Sequence, residues 1–488
     1  MASVKKNIIY NVSYRVFQIL IPLIVTPYLS RVLHADGVGL FSYYNAAASY
    51  FVLFVMLGIS SHGVRTIAAV RVDDSRSISM SFWSLYAGQL IAASFVVPAY
   101  LIYSISIAPN MQAALIWLPY VLSAVFDCSW FIFGCGEYRI PVIRNYFIQI
   151  TSTICTFVFV RQSSDVLIYM LITSLASLLS VICLLPYVVN RVSCCKPSWD
   201  MVKKELKSSL LLFAPVVAIS IYTSIDKLML GTVSGMAQNG YYTYSDKIIS
   251  VPTAVLTAFG TVLLPKMSEL YAANKYKEAN DLLSFSMWIM QAFSWGIFFG
   301  IVVVAQELVP VFLGNTFTPC VPTLLILSSR VPVIAFTYVL GNQYLLPNHF
   351  DTHYTYSVFV GAGIDIGLNL FLLQRFGAVG AALSTLAAEI SILVVQFVFT
   401  KTKLPFVAYC KNAAVFSLCS FLAFVGTHII VGFCQILISN LIALLMFEAI
   451  CFVVLYGLFS FSANYFVNRT MLERFVSVFH PFAQRHLG

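Results

Sequence analysis

Ser220-Ile-Tyr-Thr-Ser-Ile-Asp226-Lys227-Leu-Met-Leu-Gly231 sets an acid and a base inside a run that is otherwise apolar from Ser208 to Val233. About 20 helical residues cross the ~30 Å of bilayer hydrocarbon, so this run reads as a membrane span. Charge at that depth is costly and faces a polar interior, a partner or a ligand. Neighbouring residues on a helix point about 100° apart, so Asp226 and Lys227 do not simply neutralise each other. Each needs a partner from another helix, from water or from a ligand. An interhelix ion pair, or a lysine that snorkels to the nearer surface, is the structural alternative to a ligand-facing role.

The rest of the chain is of the same kind. Its 488 residues are 60% hydrophobic and 10% charged, with a mean hydropathy of +0.88. Soluble domains carry about 25% charged residues, so this composition specifies an all-α polytopic membrane protein with no room for a sizeable soluble domain. The net charge of +9 lies in loops between spans and does not imply nucleic acid. Lys5 and Lys6 are not followed by a short apolar core and a cleavage site, so no removable signal peptide is expected. The cysteines mostly sit singly in apolar runs, and Cys194-Cys195 falls in a basic loop expected to face the reducing cytoplasm. Neither disulfides nor a metal site are expected.

Apolar runs predict about fourteen spans, near 8–31, 40–62, 80–105, 112–134, 145–160, 166–189, 209–231, 244–265, 284–305, 320–342, 354–374, 378–399, 409–431 and 435–459. With the N-terminus inside, twenty-one lysines and arginines fall in inner segments and three, Arg31, Arg161 and Arg375, in outer ones. Alternation and orientation therefore support each other, and both termini are expected in the cytoplasm. Arg15, Lys227, Lys247 and Arg330 remain at membrane depth. Snorkelling is open to the two lysines, in the outer third of their spans, and poor for Arg330 near the middle of the tenth. The intramembrane acids are Asp127, Asp226, Asp246, Asp365, Glu389 and Glu448, each also readable as a structural partner for a base or hydroxyl. Pro22, Pro27, Pro215, Pro252 and Pro332 interrupt spans, either as ordinary kinks or as broken helices lining a cavity.

The chain repeats itself. Pro22…Arg31…Gly37-Val-Gly39-Leu-Phe41-Ser-Tyr43-Tyr44-Asn45 echoes Pro215…Lys227…Gly240-Tyr-Tyr242-Thr-Tyr244-Ser-Asp246. Spans one and seven both start inside, so the halves read as parallel repeats about an axis along the membrane normal. The expected organisation is a six-helix bundle over 1–190, a cytoplasmic basic linker over 191–207, and a second six-helix bundle over 208–400. Two additional spans over 401–460 and a cytoplasmic tail over 461–488 follow. A transporter built this way holds its site between the halves. There is no GxxxxGK[ST] loop, no Ser/His/Asp set and no metal-ligand spacing. The longest outer loop, near Gln306–Pro319, is shorter than a lipid-linked glycosyltransferase or polymerase usually needs. The chain reads as a transporter rather than an enzyme.

Pro27-Tyr28-Leu29-Ser30-Arg31, Gly37-Val38-Gly39-Leu40-Phe41, Leu57-Gly58-Ile59…Gly63-Val64-Arg65, Asp226-Lys227-Leu-Met-Leu-Gly231, Asp246-Lys247…Pro252, Leu264-Pro265-Lys266-Met267, Gly341-Asn-Gln-Tyr-Leu-Leu-Pro347 and Phe376-Gly377-Ala378-Val379-Gly380 keep their order along residues 5–400. Together they resemble the bacterial polysaccharide-unit flippases of the multidrug/oligosaccharidyl-lipid/polysaccharide exporter superfamily. One departure stands in the fourth span, Asp127-Cys-Ser-Trp130-Phe-Ile-Phe133-Gly134-Cys-Gly-Glu137, where Phe133 occupies the place of a glutamine frequent in the family.

The resemblance implies a flippase in the bacterial cytoplasmic membrane. Its partners would be an undecaprenyl-diphosphate-linked oligosaccharide, membrane lipid and other polysaccharide assembly proteins. A diphosphate crossing hydrocarbon needs cations to replace its hydration, and Arg15, Arg31, Lys227, Lys247 and Arg330 are the candidates for that cationic cavity. Tyr43, Tyr44, Asn45, Tyr222, Tyr242 and Tyr244 are candidates for a sugar path, or for an interfacial aromatic belt. No cofactor is expected beyond a coupling H+ or Na+, for which Asp127, Asp226, Asp365 and Glu389 are candidate coupling or pairing acids. A cation-coupled multidrug exporter and a peptidoglycan lipid-precursor flippase of the same superfamily are the competing assignments.

Overall fold

The computed structural model describes residues 2–70, 75–137, 139–434 and 440–475, with the backbone alone for 2–20, 75, 212, 214, 215 and 222. The regular elements among them are helical. Contacts gather the chain into two units, Met1–Gly240 and Tyr241–Gly488.

The first unit holds α1 (Ala2–Met56), α2 (Ile59–Ala69), α3 (Ser75–Ile102), α4 (Met111–Ile116), α5 (Leu118–Phe126), α6 (Ser129–Gly134), α7 (Arg139–Phe159), α8 (Val166–Ile182), α9 (Leu185–Val189) and α10 (Trp199–Val233). It also holds the first turn of α11 (Met236–Ala272). Short polar side chains set the helix starts: the Asn110 carboxamide accepts from Ala113 N at 3.0 Å before α4, and the Ser198 hydroxyl from Met201 N at 3.3 Å before α10. Two buried aromatic cores form here, one around Phe82, Trp130 and Phe131, the other around Tyr44, Tyr100 and Trp117.

The second unit holds the rest of α11, then α12 (Tyr276–Phe312), α13 (Val321–Tyr338), α14 (Asp351–Thr400), α15 (Phe406–Cys434) and α16 (Leu441–Val467). A wider π turn, Val339–Leu345, continues α13.

Among the described residues, eleven helical stretches are long and apolar enough to cross a membrane. Two of them, Ile21–Ala69 and Asp351–Thr400, run 49 and 50 residues. At 1.5 Å per residue each is about 75 Å long, more than twice the hydrocarbon thickness. Each is broken: α1 at His34 (φ 55), the α1–α2 joint at Leu57 and Gly58 (φ 43 and 78), and α14 at Gly377 (φ 53). The left-handed backbone at Gly377 costs glycine little, and it turns α14 back on itself as two crossings. With α10, where the seventh predicted span lies, this is consistent with about fourteen spans. Phe147 and Phe466 are 74% and 85% exposed. Such side chains suit hydrocarbon as their solvent, and the chain is a multi-pass membrane protein.

The predicted fourth span is not one helix. It is α4, α5 and α6, interrupted at Trp117 and again at Asp127–Cys128. The second break frees carbonyls that need donors in hydrocarbon. Gln89 of α3, fully buried, supplies them: Nε2 donates to Ala124 O at 2.6 Å and to Asp127 O at 3.1 Å. Its Oε1 accepts from Trp130 Nε1 at 3.3 Å.

α1 and the α10–α11 turn meet at backbone distance. A Cβ on Gly39 would overlap the Met236 carbonyl, and one on Gly240 would overlap that of Ala35. The contact is sealed by Asn239, whose buried Nδ2 donates to Gly39 O at 2.9 Å. The glycines that the sequence repeat pairs, Gly39 and Gly240, thus touch.

Candidate functional site

In the first unit the charged candidates lie on three elements. Arg31 on α1 is exposed, and its Nη1 donates to Pro27 O at 2.7 Å, folding the guanidinium back along its own helix. Asp226 on α10 is 1% exposed, whereas Lys227, one residue on, is half-buried, as their 100° separation requires. Tyrosines crowd the same helix: a Cβ on Gly231 would lie 2.5 Å from the Tyr43 ring, and Tyr50 Oη donates to Ser220 O at 3.0 Å. Asp127 sits at the α5–α6 break, where its Oδ1 accepts from Ser129 N at 2.8 Å. It therefore caps a local turn. The side chains of Arg15 and Tyr222 lie outside the described residues.

The second unit brings two of its charges together. Arg330 on α13 forms an ion pair with Asp246 on α11. Their side chains are 14% and 25% exposed, so the pair is largely desolvated. Lys247, next along α11, lies 5.5 Å from the centre of the Tyr244 ring, and Tyr244 stacks on buried Phe317 at 5.3 Å. Two cations, one carboxylate and an aromatic wall thus share one stretch of α11 and α13.

A second polar group lies along α14. Asp365 and Asn369 are spaced i, i+4 before the Gly377 break, and Thr385 and Glu389 are spaced i, i+4 after it. All four are buried, as is Tyr242 of α11. Tyr242 Oη and Thr385 Oγ1 are 3.0 Å apart. A Cβ on Gly361 would meet Ile392, and one on Gly380 would meet the carbonyl of Leu372. That antiparallel register sets the Asp365–Asn369 face level with the Thr385–Glu389 face. Two carboxyls, an amide, a hydroxyl and a phenol are oxygen-rich enough for a proton or a hard monovalent cation.

Two polar contacts were not singled out in the sequence. Gln89 supports the α5–α6 break, and its signal was a lone amide in an apolar run. His62 Nε2 meets Glu205 Oε2 at 2.6 Å, joining α2 to the start of α10. Glu448 on α16, one of the acids the sequence places at membrane depth, is buried.

Comparison with known proteins places this architecture. The sequence pattern described as polysaccharide biosynthesis protein matches residues 4–271, more than half of the chain. The chain belongs to the polysaccharide biosynthesis protein family. A family relative from Escherichia coli named "Putative O-antigen transporter" is 24% identical over 418 residues, covering 82% of this chain and 97% of that protein. Its counterpart from Shigella dysenteriae is 22% identical over 410 residues, covering 82% and 100%. A shorter match, 21% identical over 190 residues, links 39% of the chain to 40% of a probable low-salt glycan biosynthesis flippase of Haloferax volcanii.

Solved structures agree on the fold. The lipid II flippase MurJ in an inward closed conformation superposes with a TM-score of 0.75 at 15% identity, over 94% of this chain and 99% of that one. An inward-facing multidrug transporter of the MATE family superposes with a TM-score of 0.58 at 13% identity, over 80% and 99%. The family member described here therefore has the fold of the multidrug/oligosaccharidyl-lipid/polysaccharide exporter superfamily.

Proposed function

We propose that this chain is a flippase. It carries oligosaccharide units linked to undecaprenyl diphosphate from the inner to the outer leaflet of the bacterial cytoplasmic membrane, by alternating access, for cell-surface polysaccharide synthesis. Both termini lie in the cytoplasm, as the distribution of basic residues favours. The observation that carries this proposal is the desolvated Arg330–Asp246 pair beside Lys247. A diphosphate entering hydrocarbon loses its hydration. A guanidinium already held by one carboxylate takes a phosphate by exchange, with bidentate geometry, while the lysine adds a point charge. Likeness to O-antigen transporters over nearly their whole length supports a glycan-linked cargo. The α14 acids Asp365 and Glu389, level with Thr385 and Asn369, are the proposed seat of H+ or Na+ coupling; Asp226 is the further candidate in the first unit.

The test is deletion of the gene in its host, followed by localisation of the lipid-linked units. Inner-leaflet accumulation that wild type relieves, and Arg330→Ala or Lys227→Ala at equal membrane levels does not, is the expected result. Undisturbed polysaccharide with altered drug tolerance points to a drug exporter instead, and arrest of cell-wall synthesis points to a peptidoglycan-precursor flippase.

A further inference from the structure

The second unit contains an apolar cleft that the charged residues do not use. Trp288 and Phe293 of α12, Phe416 of α15 and Gly457 and Phe461 of α16 border a cavity of about 270 Å³. A second cavity of about 260 Å³ lies between Val255 and Phe259 of α11 and the same face of α12. Ile289, Phe293 and Phe475 line both, so the two adjoin. Two polar groups on the wall are turned to protein: Asn464 Oδ1 accepts from Trp288 Nε1 at 2.9 Å, and the Tyr456 hydroxyl donates to Ala292 O. The wall presents hydrocarbon to whatever fills it.

The cleft opens sideways. Val255, Phe293 and Phe461 on its rim are 64%, 54% and 55% exposed and belong to spanning helices. One end is basic. The Arg474 guanidinium lies 4.7 Å from the centre of the Phe285 ring, which also lines the cleft, and donates to Asp281 O at 3.4 Å. Lys411 and Arg469 flank the Asn412–Asn468 hydrogen bond of 2.9 Å, which ties α15 to the chain beyond α16. All three cations are exposed, at the end of α12, α15 and α16 that charge asymmetry assigns to the cytoplasm.

We propose that this cleft binds an anionic membrane phospholipid, its acyl chain between α11, α12 and α16 and its phosphate against Arg474 and Lys411. An acyl chain gains dispersion contacts against such apolar walls, and in a bilayer acyl chains are the apolar groups at hand. The cations select the headgroup: they sit at the level where a phosphate lies, and juxtamembrane Lys and Arg attract anionic lipid. Arg469 is paired with Glu473 at 2.8 Å, so part of its charge is met within the chain.

Native mass spectrometry of the full-length protein, titrated with phosphatidylglycerol or phosphatidylethanolamine, tests this. Phosphatidylglycerol is expected to bind tighter by about fivefold per cation that contributes. No atom lies within 4 Å of a Cβ at Gly457, so Gly457→Phe puts its ring into open cleft and is expected to abolish the tight site. Lys411→Gln with Arg474→Gln is expected to bring phosphatidylglycerol down to the level of phosphatidylethanolamine. Equal binding of the two lipids by wild type overturns the proposal. So does wild-type binding by Gly457→Phe at an unchanged unfolding temperature. Should Gly457→Phe fail to fold, the surface double variant decides alone, and a retained preference overturns the proposal. Displacement of phosphatidylglycerol by equimolar polyprenyl diphosphate also overturns it, and assigns the cleft to the transported lipid's tail.

Discussion

Arg330 on α13 and Asp246 on α11, 84 residues apart in sequence, close an ion pair inside the membrane-spanning part of the second unit. Removing one member takes an ion-pair partner from the other. Arg330→Ala is expected to lower stability by about 3 kcal/mol, because the Asp246 carboxylate loses its guanidinium in a poorly solvated place. The double variant Asp246→Asn with Arg330→Gln is expected to recover most of that loss, since the charges leave together. Thermal unfolding in detergent reads the stability, and leaflet accumulation in the host reads transport. Transport is expected to stay lost in both. A double variant that transports normally would return Arg330 to a purely structural role.

Gln89 is expected to matter for folding more than its place in an apolar run suggests. Gln89→Leu keeps the size but leaves the Ala124 and Asp127 carbonyls without their donor. The expected cost is about 2–4 kcal/mol, seen as a lower unfolding temperature. Gln89→Glu is expected to fail as well when ionised, because a carboxylate cannot donate. Wild-type stability in Gln89→Leu would show that water replaces the amide.

Gly39→Ala tests the close approach of α1 to the α10–α11 turn. The new methyl group would occupy the Met236 carbonyl position, so the helices must part. A loss of about 1–3 kcal/mol is expected. Asn239→Ala removes one buried hydrogen bond and is expected to cost about 1 kcal/mol without parting the backbones. Equal unfolding temperatures for wild type and Gly39→Ala would contradict the contact.

Coupling is tested at α14. In proteoliposomes, wild-type flipping is expected to accelerate under a proton or sodium gradient. Asp365→Asn and Glu389→Gln are expected to flip at one rate with or without it. Full gradient dependence in both variants would exclude these two carboxyls from coupling.

Much of this was legible in one dimension because a bilayer enforces simple rules. Twenty-residue apolar runs, the bias of basic residues and the repeated Pro–cation–Gly–aromatic pattern all act locally or over single helices. They report that the chain is a multi-pass helical protein and where most of its helices lie. The ordered motifs from Pro27 to Gly380 carried the resemblance to polysaccharide-unit flippases. One break was less legible. The turn at His34 falls in the polar Arg31–Gly37 stretch between the first two predicted spans, but the Asp127–Cys128 interruption depends on an amide 38 residues away in sequence and has no local signal.

The sequence by itself determined which residues carry charge into the hydrocarbon, because burying Asp226, Asp246, Arg330, Asp365 or Glu389 is costly wherever the helices go. Only the tertiary structure decided which of them meet. Arg330 found Asp246, Asp127 capped its own turn, and Tyr242 reached Thr385. Hydropathy depends on the residues within one helix. A partner depends on the rotation and register of two helices, which their whole packed surfaces set.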